Sequence, residues 1–210
     1  MKPYSLFWIA TLFIPGQFAL AASHDAGFVE LYNGKDVGNF EIHDNQKDFQ
    51  VKEGVIHCDA GGKGGWILYK KEKYKDFTLR VEWRVSEGGN SGVFIRAGGK
   101  DVPWTDGYEV QISCEQPRRD ASHCTGALYG YKAVDPRPDE TAEKWRVTEI
   151  TCKGPLITVK VDDETVCELD QSKQKDTKNK ALSGFIGVQD SHGPEGTWVE
   201  YRSIKVKALE

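Results

Sequence analysis

Apolar and polar residues alternate along most of the chain, in short runs broken by Gly, Asn and Asp. The runs "FQVKEGVIHC", "FTLRVEWRV", "SGVFIRA", "YEVQIS", "ALYGY", "WRVTEI", "LITVKVD", "TVCEL", "FIGVQD" and "VEYRSIKVKAL" are examples. Half-buried antiparallel strands need this pattern, because successive side chains point to opposite faces. "KVDDETVCEL" sets the turn cluster Asp162-Asp163-Glu164 between two such runs and predicts a hairpin. No segment keeps a helical period over three turns. "DPRPDETAEKWR" opens with two prolines and predicts one or two turns of helix at most. Ten or more strands without linker or repeat predict an all-β, single-domain sandwich of jelly-roll type.

The same alternation sorts the side chains by face. In "GYEVQIS", Tyr108, Val110 and Ile112 share one face, and Glu109 and Gln111 the other. Val93 and Ile95 oppose Phe94 and Arg96, while Ile186 and Val188 oppose Gly187 and Gln189. If these strands are neighbours, Arg96, Glu109, Gln111 and Gln189 converge on an outer face. An exposed sheet face shows polar residues in any case, but typically Lys, Thr and Glu, as in "LITVKVD". Planar amides and a guanidinium beside Phe94 suit sugar hydroxyls and a pyranose face better. The stretch "GGNSGVFIRA" carries this further: Gly88 and Gly89 permit a sharp turn. Asn90 is a candidate to tie that turn or to meet the ligand, and Gly92 leaves room at the strand's start.

Ordinary glycoside hydrolysis uses two carboxylates flanking the scissile bond. The strand Glu109-Val110-Gln111 offers one carboxylate, and an amide where the second would stand. That leaves either sugar binding without catalysis or a chemistry needing one good base. His192, in "QDSHGPEG" at a strand end, is the titratable partner of choice, ahead of His43, His57 and His123. Trp83, in phase with Val81 and Val85, belongs to the core. Trp66, Trp104, Tyr129 and Trp145 are candidates to line a cleft.

Residues 1–21 read as a cleavable leader: Lys2, an apolar stretch broken by Pro15, and a small-x-small site at Ala19-Leu20-Ala21. The expectation is a secreted or periplasmic protein, free of the membrane after leader removal. One Lys leaves with the leader, so the net charge of −4 becomes −5, which disfavours nucleic acid and anionic lipid as partners. Oligomeric state is not legible. Five cysteines leave at least one unpaired thiol, and a local Cys114–Cys124 bridge is one option among several pairings. Their spacing matches no structural zinc site. No metal ligand set is assigned; a divalent metal on Glu109, Asp190 and His192 is one option.

The segments "LYNGKDVGNF", "VKEGVIHC", "YKDFTLRVEWRVSEGGNSGVFIR", "GYEVQI", "TGALYG" and "IGVQDSHG…VEYRSIKV" resemble, in this order, the 3-keto-disaccharide hydrolase domain family. The resemblance covers residues 27–209 in effect, and "GGNSGVFIR" with "GYEVQI" is its most specific part. It implies a concanavalin-like β-sandwich acting on glycosides that carry a ketone at carbon 3. The ketone acidifies C2–H, so one base suffices for β-elimination, after which water adds back. By position, Glu109 or His192 is the base or a metal ligand. Arg96, Gln111, Gln189, Asn90 and Tyr129 are the sugar contacts. A non-catalytic carbohydrate-binding module of the same fold is the alternative. The chain departs from the family pattern at Arg146, which follows Trp145 where Asn is common, at Ser191 within "QDSH", and at Ser113-Cys114 after "EVQI". By order, these departures fall near the presumed site.

Overall fold

The computed structural model describes residues 25–43, 49–60, 64–99, 102–115 and 117–210; the expected leader lies outside them. In chain order the strands are β1 (Val29–Glu30), β2 (Phe40–His43), β3 (Gln50–Lys52), β4 (Val55–Asp59), β5 (Trp66–Tyr74), β6 (Phe77–Val85) and β7 (Asn90–Ala97). A single helical turn, α1 (Pro103–Asp106), precedes β8 (Tyr108–Ser113). Then come β9 (Arg146–Lys153), β10 (Leu156–Val161), β11 (Glu164–Asp170), β12 (Gly184–Gln189) and β13 (Trp198–Ala208). No helix among the described residues is long and apolar enough to cross a membrane.

Two antiparallel sheets face each other. One runs β11-β10-β9-β6-β13-β4-β3, with β1 also beside β13; the other runs β2-β5-β12-β7-β8. The core between them takes the apolar side of each strand. Val93, Ile95, Val110, Ile112, Ile186 and Val188 meet Leu79, Val81, Ile150, Ile204 and Tyr201, all fully buried. Trp83 joins them, its indole N–H donating to Thr148 Oγ1 at 2.8 Å. The predicted hairpin is β10–β11, and Asp162 and Asp163 turn it with φ of 50° and 69°. Short acidic side chains tolerate this left-handed region better than most.

One phenol joins the sheets under the second sheet's centre. Tyr201, on β13, donates to Gln189 O of β12 at 3.0 Å and shares a 2.7 Å bond with Ser91 Oγ of β7. Ser91 Oγ also lies 2.8 Å from Gln189 O, so two hydroxyl hydrogens serve these three contacts.

Several expectations are corrected. "ALYGY" is a turn, in which Leu128 only bridges Val110 and Lys132, and "DPRPDETAEKWR" is not helical. The nine-residue β5 was not among the expected runs, because "WILYKKEKY" is an apolar block followed by a charged one. The Cys114–Cys124 bridge is not formed. None of the five buried cysteines is in a disulfide, and Cys114 Sγ sits 3.1 Å from Glu140 O.

Arg96 does not share a face with Glu109. Ala97 and Phe94 of β7 pair with Phe185 and Gly187 of β12, so three steps on one strand oppose two on the other. Arg96 is the bulged residue, at φ 55°. Past it the alternation is reversed, and Ala97 lies with Phe94 on the outer side. Gly184 of β12 makes room: a Cβ there would lie 2.2 Å from Arg96 C. The guanidinium is fully buried, donating to Gln171 Oε1 at 2.7 Å, Gly154 O at 2.7 Å and Lys75 O at 3.3 Å. It ties the turns at one end of the sandwich.

Candidate functional site

The outer face of the five-stranded sheet carries the site. Register sets its floor: Phe94 pairs with Glu109, Gly92 with Gln111 and Asn90 with Ser113 across β7–β8, while Gln189 pairs with Trp66 across β12–β5. Glu109, Gln111, Asn90 and Gln189 are all buried. Above them is a recess of about 290 Å³ lined by Gly64, Trp104, Glu109, Gln111, Arg119, Tyr129, Gln189 and His192. Trp104 comes from α1 and stands edge-on to Trp66, ring centroids 5.7 Å apart. The loop between β8 and β9 supplies Arg119 and Tyr129, and the loop after β12 supplies His192, whose backbone N–H donates to Asn90 O at 3.1 Å.

Gly92 determines where the Glu109 side chain lies. A Cβ at Gly92 would be 2.5 Å from Glu109 Oε1 and 2.7 Å from its Cγ, so the carboxyl packs over the space that glycine leaves. Among the described residues no hydrogen bond reaches that carboxyl. Burial therefore dominates its acidity and pushes the pKa up to about 8, with the Arg119 charge pulling the other way. His192 is shifted in the opposite sense. Crowding by protein atoms lowers its pKa below the ordinary imidazole value, Glu115 opposing and Arg119 adding to the fall. Near neutral pH the recess thus holds a protonated carboxyl and a neutral imidazole, the pairing that acid–base work requires.

Two amide oxygens face the same space. Gln111 Nε2 donates to Asn90 Oδ1 at 2.9 Å, leaving Gln111 Oε1 buried without a partner. Gln189 Oε1 is likewise buried and unpartnered among the described residues. Buried acceptors without donors are rare in proteins and here point to a ligand that brings donors.

Of the seven expected site residues, Glu109, Gln111, Gln189, Tyr129 and His192 line the recess. Asn90 lies just behind it, bonded to Gln111 and to Glu115 rather than to its own turn. Arg96 is excluded from it. Asp190 is fully buried, its Oδ2 accepting from Gly65 N at 2.6 Å, and no group of three metal-ligating side chains exists among the described residues. Trp145 is on the opposite face of the molecule, stacked under Arg84 and Arg202, and Arg146 beside it pairs with Asp139 and Asp162. That departure from the family pattern is remote from the recess, whereas Ser113 and Ser191 are near it.

Sequence reasoning missed Arg119 and Glu115. Their signal was the pair of arginines in "EQPRRD", directly after the site strand, where loops carry function. A larger recess of about 380 Å³ opens on the eight-stranded sheet among Asp25, Arg80, Glu82 and Lys205. Its charges are matched within the protein, as in Lys205–Asp25 at 2.7 Å and Arg80–Glu149 at 2.7 Å.

The fold recurs in known proteins. A 3-keto-disaccharide hydrolase of Bacteroides thetaiotaomicron is 25% identical over 88% of this chain and 79% of its own length. A Parabacteroides distasonis protein assigned as a glycosyl hydrolase superposes with a TM-score of 0.72 at 19% identity, covering 94% of this chain and 99% of that one. A Bacillus subtilis protein with a galectin-like fold superposes at 0.60 with 14% identity, covering 86% and 94%. The two structures establish the sandwich as concanavalin- and galectin-like. The family match spans residues 27–207, nearly all of the described chain, and the protein belongs to the 3-keto-alpha-glucoside-1,2-lyase-like domain family.

Proposed function

We propose that this protein cleaves the glycosidic bond of sugars already oxidised to a ketone at carbon 3, by C2 proton abstraction, β-elimination and hydration. Family membership and the named relatives support its coarser part, a glycoside-cleaving activity. The observation that carries the finer part is that Glu109 stands alone. Glu109 is the one acid among the residues lining the recess, and Glu115 behind them is engaged by two hydrogen bonds and the Arg119 ion pair, so the recess lacks the pair of free carboxyls that ordinary hydrolysis uses. A ketone beside C2 removes the need for the second.

In this reading the neutral His192 imidazole takes the C2 proton, and the electron pair moves into the C2–C3 bond and onto the ketone oxygen. Arg119, the cation of the recess, stabilises that enolate. Collapse of the enolate forms the C1–C2 double bond and breaks C1–O, and protonated Glu109 gives its proton to the departing oxygen. Water then adds across the double bond, its hydroxyl to C1 and a proton to C2. Trp104 and Tyr129 supply walls for the sugar ring. The leader-like residues 1–21 support export to the periplasm or outside the cell, checked by sequencing the N-terminus of protein recovered from those fractions.

The test is to incubate the protein with a 3-keto-glycoside and with its unoxidised parent. Release of aglycone from the keto form alone is expected. Equal release from both would sink the elimination mechanism, and binding without turnover would make the protein a carbohydrate-binding module.

A further inference from the structure

Behind the recess runs a chain of hydrogen bonds that the chemical steps above do not use. Glu115 Oε2 accepts from Asn90 Nδ2 at 2.8 Å and from Ser113 Oγ at 3.2 Å, and is ion-paired with Arg119 Nε at 2.6 Å. A carboxylate oxygen meeting three donors serves as an acceptor, so the nitrogen end of Asn90 must face it. Asn90 Oδ1 then points at Gln111 and can only accept. Gln111 Nε2 must donate to it, as it does at 2.9 Å, and Gln111 Oε1 is left facing the recess. The two ends of an amide are otherwise interchangeable in shape. Here one acid orients two amides in series, and the second, 1% exposed, ends in a buried oxygen without a partner.

The same acid also aims Arg119. With Nε on Glu115 and Nη1 reaching the Tyr129 hydroxyl at 3.4 Å, the guanidinium plane is held at two points on the wall of the recess. Its other nitrogen has no partner among the described residues. The two ends of the network therefore differ in polarity. At Gln111 a ligand must supply a hydrogen, because a ketone oxygen would set lone pairs against lone pairs. At Arg119 it must supply an acceptor.

We propose that Glu115 is the positioning residue for substrate recognition: through Asn90 it makes Gln111 an acceptor for a ring hydroxyl, and through Arg119 it places a cation on the ketone oxygen. This rests on the 3-keto-glycoside reading and adds to it how the oxidised carbon is told from its neighbours. The ketone is kept from Gln111 and directed to Arg119, so the unoxidised sugar, with a hydroxyl at both places, brings no bare acceptor to the cation.

The experiment is a charge relocation. Glu115→Gln frees Asn90 to reverse, leaves Gln111 oriented only by its 3.3 Å bond to Ile112 O and takes the carboxylate from Arg119, and kcat/KM on a 3-keto-glycoside is expected to fall about ten- to a hundredfold, the loss one mispaired buried polar group brings. Asn90→Asp alone sets two carboxylates against each other and should lose at least as much. The double variant Glu115→Gln/Asn90→Asp restores the amide branch of the chain, the amide at 115 donating to the carboxylate at 90, which accepts from Gln111, but gives up the Arg119 contact, which used the same oxygen. Partial recovery is expected, to a kcat/KM above either single variant and below wild type, the remaining loss being that of the Arg119 contact. A single variant without loss, or a double no better than the singles, would overturn the proposal. Side-chain amide NMR gives a readout without turnover. The Gln111 NH₂ resonances should move in Glu115→Gln and return in the double variant, and if they do not move the proposal fails. Should wild type leave the 3-keto-glycoside uncleaved, the functional reading fails, and the NMR arm still decides the role of Glu115.

Discussion

The two outer faces of the sandwich are built from similar residues and solve opposite problems. On the eight-stranded sheet the charged groups answer one another. Arg84 bonds Glu200 at 2.5 Å, Arg202 pairs with Glu82, and His57 bridges Glu200 and Asp59 at 2.9 and 3.0 Å. Trp145 and Trp198 are capped by those arginines. On the five-stranded sheet Glu109, Gln111 and Gln189 are more deeply buried, yet their oxygens have no protein partner among the described residues. A group that is buried and unanswered costs stability, on the order of 1–3 kcal/mol for a neutral one. The difference teaches that a site is recognised by unmet bonding capacity under cover. The abundance of charge, which is higher on the other face, is a poor guide.

The comparison can be broken at Glu109. Glu109→Gln is expected to lower turnover of a 3-keto-glycoside about a thousandfold or more, the range for losing a general acid. Its stability should rise relative to wild type with pH. Glu109 titrates near 8 in the folded protein and near 4.5 when unfolded. Below 4.5 both states carry the proton and nothing is lost. Between 4.5 and 8 only the unfolded chain releases it, so wild type loses stability across that window and levels off above it. The Tm difference between variant and wild type should therefore grow from pH 5 to pH 8; a constant difference would show a carboxyl that is ionised in the fold. By the same assignment, kcat/KM should fall above about pH 8 as Glu109 loses its proton, and at low pH as His192 gains one. A rise through pH 8 would instead make Glu109 the base.

Arg96→Ala tests the other kind of burial, a structural group whose Nη1 and Nη2 are bonded within the protein while Nε is not. Removing it strands Gln171 Oε1 and two carbonyls, and a loss of about 3 kcal/mol in urea unfolding is expected. The protein that remains folded should keep its KM. Gly92→Ala should do the reverse, displacing Glu109 and reducing kcat/KM about tenfold or more while Tm moves little, since the clash falls on the end of one side chain. Trp145→Ala, on the paired face, should change kcat/KM by less than twofold and stability by about 1 kcal/mol.

What the sequence made legible follows from where periodicity holds. Glu109, Gln111 and Gln189 lie in β8 and β12 where strict alternation carries them to one face, and the reading of those strands stands in the structure. Arg96 was misplaced because one residue in left-handed backbone reverses the alternation, and nothing in "VFIRA" marks a bulge. The clue lies on the partner strand, in Gly184, where sequence neighbours give no warning. Arg119 and Glu115 sit in a loop with no period to read, and their importance comes from contacts to Asn90 and Tyr129 that only the fold creates. Asn90 was a candidate to tie its own turn, the common local habit of that residue, or to meet the ligand. A carboxylate 25 positions away competes for the same amide and wins.

The phenol of Tyr201 has a consequence for how such a protein can change. It clamps β7 and β12 from the opposite sheet at the very strands that bear Gly92 and Gln189, so the floor of the recess moves only if the sandwich does. The walls stand on loops whose backbone is tied to the floor, Tyr129 N donating to Glu109 O at 3.0 Å and His192 N to Asn90 O at 3.1 Å, while the Arg119, Tyr129 and His192 side chains project from them. A new sugar is therefore most readily accommodated by changing the side chains at 119, 129 and 192 on an unchanged floor, and a library directed at those positions, sparing the buried Cys124, Ala127, Leu128 and Val134 between β8 and β9, should alter preference while leaving the melting temperature almost untouched.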